Sequence, residues 1–245
     1  MSGIARFGRL LAATSRDSLQ LFRLAPLIPL VAVLTEFAQH VAEVRIGLFV
    51  DSDSFNRLSR DATRLAWGDL KITGLMIATF LAARCWVNRR DRRPWWSMAS
   101  IAWRPLLVGF VLMTLASVPL TPGFGLPPGL VLVLSLAVIV LTLPLMVLAM
   151  AGLLGDREMS LARVYRGGWG RGLRIIALTA VGFVPLQLLH LGNHVLAIGQ
   201  GEAVVWAIMV WDSLVVGLIA MFMGTAMHHG YLGGEQPAGG DFTGA

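Results

Sequence analysis

Glu36, His40 and Glu43 fall at i, i+4 and i+7, a spacing that puts all three on one face of a helix. His190 and His194 repeat the i, i+4 step with Gln187 and Asn193 beside them, and Asp212 interrupts an otherwise apolar run. An acidic side chain at the centre of a membrane helix costs on the order of 3 kcal/mol, so such residues face a bundle interior and mark function by default. Two chemistries fit these residue types. The imidazoles of His40, His190 and His194 with one carboxylate match the donor set of zinc or a similar divalent metal, as a binding site or an intramembrane metal-dependent enzyme. Alternatively, Glu36 and Asp212 serve as proton or cation relay sites of a small transporter, with Pro29, Pro144 and Pro185 kinking the helices around the path. A plainer reading leaves His40, Glu43 and His194 wetted at an interface, while Glu36 and Asp212 make one structural polar contact.

The elements that must position these residues are apolar helices. Hydrophobic residues make up 56% of the 245 and charged residues only 14%, against about 25% charged in soluble domains. The segments lack the alternation of about 10 residues that barrel strands would show, so the expected class is an all-α, polytopic helical bundle. Six spans are expected, at about 24–41, 70–86, 105–120, 130–154, 173–191 and 203–223. On this reading, residues 1–227 form one membrane domain and 228–245 a flexible Gly-rich tail, with His228 and His229 just past span six.

Amphipathic segments precede three of the spans. Ile4, Phe7, Leu10 and Leu11 recur at helical spacing before span one. Pro94 to Trp103 reads as an interfacial helix before span three, with Pro94 in its first turn and tryptophans at headgroup depth. Met159 to Arg166 reads as a third, before span five. Each would head a two-span hairpin, giving three repeats of one unit. Between spans one and two, Phe55, Leu58, Ala62 and Leu65 keep a 3,4,3 spacing behind Asp53, which suggests one short capped amphipathic helix. The uncharged turn 121–128 should close spans three and four into a hairpin.

Basic residues set the orientation. Fifteen arginines lie on one side: four before span one, six from Arg84 to Arg104 about the join of spans two and three, and five from Arg157 to Arg174 about the join of spans four and five. Only Arg45, Arg57, Arg60, Arg64 and Lys71 lie on the other side, so the positive-inside rule puts both termini in the cytoplasm. The net charge of +6 is gathered at span ends, which favours anionic lipid headgroups over nucleic acid as partner. Arg163, Arg166, Arg171 and Arg174 are the candidate headgroup or anion contacts, near glycines 167, 168, 170 and 172, which read chiefly as a flexible link. The N-terminal apolar patch is cut by Arg9, Arg16 and Asp17, so a removed signal peptide is not expected. Cys85 is the single cysteine, which excludes an intrachain disulfide. The chain has no P-loop, no Gly-x-Ser-x-Gly elbow, no His-Glu-x-x-His and no Cys-x-x-Cys.

The central stretch carries Leu143-Pro144 in an apolar run, then Gly152, Gly155 and Glu158, then Ser160-Leu161, Gly167-Gly168 and Arg171 before another span. This pattern resembles the membrane domain associated with glycerophosphoryl diester phosphodiesterases, and the uncharacterised bacterial six-helix inner-membrane proteins of the YciC type. The resemblance implies a six-span fold and a membrane location. It transfers no catalytic residue, because phosphodiester hydrolysis in that family belongs to a separate soluble barrel. The expectation from sequence is therefore a multi-pass protein of the bacterial inner membrane with a non-enzymatic structural, assembly or lipid-interacting role, associating with membrane lipids, a protein partner or its own copies. A transporter using Glu36 and Asp212 is the alternative, a metal-dependent enzyme the third. No cofactor is expected beyond that optional divalent metal.

Overall fold

The computed structural model describes residues 3–120 and 127–233. Among them every regular element is helical: α1 (Gly3–Leu24), α2 (Leu27–Arg45), α3 (Ser52–Leu58), α4 (Ala62–Arg90), α5 (Trp103–Ser117), α6 (Pro128–Leu154), α7 (Leu161–Gly167), α8 (Trp169–Ala197) and α9 (Glu202–Leu232), with one 3-10 turn, Val118–Leu120. Six helices are long and apolar enough to cross a membrane: Leu27–Arg45, Ala62–Arg90, Trp103–Leu120, Gly129–Leu154, Trp169–Ala197 and Glu202–Leu232. This is a multi-pass helical membrane architecture.

The chain divides into two compact units. One comprises Leu11–Ser97 and Leu178–Ala226. In it the end of α1 and helices α2, α4 and α9 share a core of Leu21, Ile28, Ala32, Ala78, Ala82, Trp86 and Met221. Small residues let the helix backbones approach closely. At Gly224 an added Cβ would meet the Thr79 carbonyl and the Ala82 methyl. A second apolar cluster, Leu48, Phe49, Ala197, Val205 and Met209, joins the loop after α2 to α8 and α9, with α3 packed against it through Phe55 and Leu58.

The other unit comprises Met1–Leu10, Met98–Ala177 and Met227–Ala245. Its centre is the pair α5 and α6. Gly109 approaches so near that an added Cβ would stand 2.7 Å from the Ala149 nitrogen, and Gly152 lies in the same way against the Leu106 backbone. Helix α6 ends where Gly155 takes up φ +88°, a left-handed cap, and its NH is bonded back to Gly152. The turn expected to join these two helices falls largely at 121–126, outside the described residues.

Several expectations are corrected. The amphipathic segment after α2 is two helices, because Asp51 caps α3 by accepting from the Ser54 NH at 2.7 Å and Asp61 caps α4 by accepting from the Thr63 NH at 2.8 Å. Asp53 lies inside the first turn of α3, and Ala62 and Leu65 belong to α4. Residues 94–102 form turns, not an interfacial helix. Donors from α4 hold this stretch open: Asn88 Nδ2 reaches the carbonyls of Trp95 at 2.8 Å and Ser97 at 3.0 Å, and Arg84 Nη2 also donates to Ser97 at 3.0 Å. These carbonyls are no longer free for helical bonds. Helices head the first and third hairpins as α1 and α7, so the second lacks its interfacial member and the threefold repeat is incomplete. The glycine run is no loose link, since Gly170 and Gly172 belong to α8.

His228 and His229 do not lie past span six. They are buried inside α9, which runs on to Leu232. Arginine donors sustain the extra turns: Arg174 Nε donates to the Gly230 carbonyl at 3.0 Å and Arg6 Nη2 to Gly233 at 2.8 Å, supplying carbonyls that a helix end otherwise leaves orphaned. The Gly-rich tail from residue 234 lies outside the described residues.

Candidate functional site

Glu36, His40, Glu43 and Asp212 have no solvent exposure, and His190, Asn193 and His194 are buried beside them. Helix α2 supplies Glu36, Gln39, His40 and Glu43 from one face, α8 supplies His190, Asn193 and His194, and α9 supplies Asp212. All belong to one unit. Phe49 of the neighbouring apolar cluster packs on the His194 ring, with centroids 5.8 Å apart. Apolar surroundings make every unpaired charge here costly.

His40 is the hub. Its Nδ1 lies 2.9 Å from Glu43 Oε2, and its Nε2 lies 3.0 Å from Asp212 Oδ2 and 3.2 Å from Glu36 Oε1. Glu43 is held in turn by Arg64 Nε at 2.8 Å and Gln39 Nε2 at 3.1 Å, both on Oε1. Asp212 accepts from Asn193 Nδ2 on Oδ1 at 2.7 Å, and its Oδ2 faces His190 Nδ1 at 2.7 Å. Lys71 closes the ring, with Nζ 3.0 Å from Glu36 Oε1 and 3.2 Å from His190 Nε2. His194 turns Nδ1 to the His190 carbonyl at 3.1 Å and stacks edge-on against the His190 ring at 4.8 Å.

Partners assign the protons. A lysine ammonium has only donors, so His190 must accept at Nε2 and carry its proton on Nδ1, toward Asp212. Ionised Glu43 is only an acceptor, so His40 donates to it from Nδ1. That leaves His40 Nε2, Asp212 Oδ2 and Glu36 Oε1 converging, three lone pairs on one small space. Glu36 adds a further deficit: neither of its oxygens makes a hydrogen bond of good geometry, and Oε2 has no ion-pair partner either among the described residues. With neutral imidazoles, the three carboxylates of Glu36, Glu43 and Asp212 face two fixed cations, Arg64 and Lys71. One buried negative charge is left to balance.

Lys71 and Arg64 connect the centre to its surroundings, for their side chains are 19% and 23% exposed while the acids they pair with are wholly buried. Asn193 opens a second side. It lines a groove of about 490 Å³ between the end of α8 and the start of α9, among Leu196, Val204 and Trp211.

The structure thus brings together Glu36, His40, Glu43, His190, His194 and Asp212 of the sequence candidates, with Asn193. Gln187 is half-buried and has no part in the network's hydrogen bonds among the described residues. The three imidazoles adjoin, but His190 and His194 spend a ring nitrogen on Lys71 and on a backbone carbonyl. Sequence reading missed Lys71, Arg64 and Gln39. Lys71 did carry a signal, being a single basic residue just inside an apolar span. Of the anion candidates, Arg171 lies over the Tyr231 ring at 4.9 Å and Arg174 caps α9, while Arg163 binds the Glu158 carbonyl at 2.8 Å and Arg166 is exposed. Arg171 and Arg174 thus serve the end of α9.

No family model, no curated protein and no solved structure matches this chain.

Proposed function

We propose that this chain is a small cation carrier of the bacterial inner membrane, in which Glu36 and Asp212, with His40 between them, take up a cation and hand it on. The observation that supports this reading is the charge count at the buried centre: with neutral imidazoles three carboxylates face two fixed cations, and a carboxylate oxygen of Glu36 has no partner among the described residues. A low-dielectric interior does not hold a lone negative charge, so the centre calls for a cation from outside. Lys71, partly exposed and shared between Glu36 and His190, is placed to yield Glu36 to the incoming ion.

A purely structural role, which composition and the membrane-domain resemblance suggested, gives no reason for this centre. Well-packed apolar side chains stabilise a bundle as well as buried ion pairs or better. Under the positive-inside rule both termini are cytoplasmic and the centre lies toward the opposite face. The test is uptake into proteoliposomes carrying proton- and metal-sensitive dyes under an imposed gradient. Wild type takes up a cation, and Glu36→Gln and Asp212→Asn, which insert and fold, do not. Equal uptake by all three proteins rejects the carrier.

A further inference from the structure

Which cation the centre takes is a question of how many acceptors it must satisfy. Resting on the carrier reading, we infer that the seat between Glu36, His40 Nε2 and Asp212 Oδ2 binds a divalent transition-metal ion of the manganese, iron, cobalt or zinc class. A proton on His40 Nε2 can be shared along one line at a time, toward Asp212 at 3.0 Å or Glu36 at 3.2 Å. A divalent ion meets all three donors at once and reaches the carboxylate of Glu36, whose buried Oε2 has no partner among the described residues.

The geometry suits such an ion. With metal–ligand bonds of about 2.1 Å, adjacent donors of an octahedron stand about 3.0 Å apart and those of a tetrahedron about 3.4 Å. The two separations from His40 Nε2 fall in this interval, and the three donor atoms lie within 4.8 Å of one another. Two carboxylates with one imidazole form a mixed oxygen and nitrogen set, too hard for copper(I) and softer than the all-oxygen cages of calcium.

The surrounding contacts orient these donors as outer partners do in metal sites. Glu43 accepts from His40 Nδ1, leaving Nε2 as the free donor, which is the carboxylate–histidine–metal arrangement. Arg64 and Gln39 fix Glu43 in that role. Asn193 on Oδ1 and His190 Nδ1 on Oδ2 fix the Asp212 carboxylate with a further lone pair of Oδ2 turned to His40. Two other triads, His40 with Glu43 and His194, and His190 with His194 and Asp212, lie within the same reach. They serve less well, because Glu43 already receives three donors, and His190 gives its Nδ1 proton to Asp212 while its Nε2 faces the Lys71 ammonium.

The test uses the full chain in detergent, stripped with chelator, equilibrated with cobalt(II) or zinc(II), and freed of excess. Metal content and X-ray absorption are then measured. The expected result is one equivalent, bound by one imidazole nitrogen with the remaining donors oxygen. Asp212→Asn and Glu36→Gln should lose it, and Glu43→Gln should weaken binding about 10- to 100-fold by disorienting His40. Trp86→Phe, away from the centre, should keep it and so controls for folding. Failure of wild type to retain metal overturns the inference, as does a shell of two or more imidazoles or full retention by Asp212→Asn. If proteoliposomes still take up protons while no metal binds, the metal inference alone fails. If metal binds in this manner and no cation is taken up, the carrier alone fails.

Discussion

His40 and Glu43, three residues apart on α2, meet at 2.9 Å between Nδ1 and Oε2, and that contact turns the opposite ring nitrogen of His40 to Asp212 at 3.0 Å. The pair ties a helix-internal contact to a long-range one. Glu43 in turn depends on Arg64, so orientation at the seat is set from α4 as well as from α2. Removing Arg64 as Arg64→Ala leaves a wholly buried carboxylate with one fewer charged partner. The expected loss is about 2–4 kcal/mol, reduced from the fully buried case because Arg64 is partly exposed. Denaturant unfolding in detergent measures it, and Glu43→Gln/Arg64→Ala should recover most of the loss.

Lys71 and Glu36 make the sharper charge test. Lys71→Met removes one of two fixed cations facing three carboxylates and should cost about 3–5 kcal/mol. Adding Glu36→Gln restores the original balance and should return most of that stability. A double variant no more stable than Lys71→Met would mean that packing of the lysine stem, not charge, is what matters at this position.

The helix pair α5 and α6 is limited by space. Gly152→Ala would drive a methyl into the Leu106 backbone, at an expected cost of about 1–3 kcal/mol. Gly170→Ala has open space around it and lies in a helix, so it should be neutral or stabilise by up to about 1 kcal/mol. Thermal unfolding of the two variants beside wild type reads both signs.

Trp86 Nε1 donates to Thr225 Oγ1 at 3.0 Å, joining α4 to α9 within the core. Trp86→Phe leaves the buried hydroxyl short of a partner and should cost about 1–3 kcal/mol without affecting cation uptake. A stability change accompanied by lost uptake would show the core and the centre to be one coupled device.

The sequence carried the helical class, the six apolar segments and six of the ionisable residues of the centre. Those residues were legible because helical period places Glu36, His40 and Glu43 on one face, and because His190, His194 and Asp212 are conspicuous in apolar runs. Pairing between helices was not legible. By sequence Lys71 and Arg64 are loop-side positive charges, since nothing in one-dimensional spacing says that α4 turns them onto α2. The stretch 94–102 has the residue pattern of an interfacial helix, yet Asn88 and Arg84 take its carbonyls from a distance in space that periodicity does not report. Apolar periodicity ends α9 too early for the same reason: Arg6 and Arg174, far away in sequence, supply donors that let the helix pass His228 and His229.

His40 gives its Nδ1 proton to Glu43 and offers Nε2, between Asp212 and Glu36, to the incoming cation. Histidine-selective isotope-labelled NMR of the intact protein in detergent reads each ring nitrogen directly. The expected result is a protonated Nδ1 throughout and an Nε2 that takes up a proton or a metal ion as cation is supplied, an uptake lost when Asp212→Asn and Glu36→Gln are combined. An Nε2 that stays bare when protons or metal are supplied, or a His40 that carries its proton on Nε2 with Nδ1 bare toward Glu43, would contradict this arrangement.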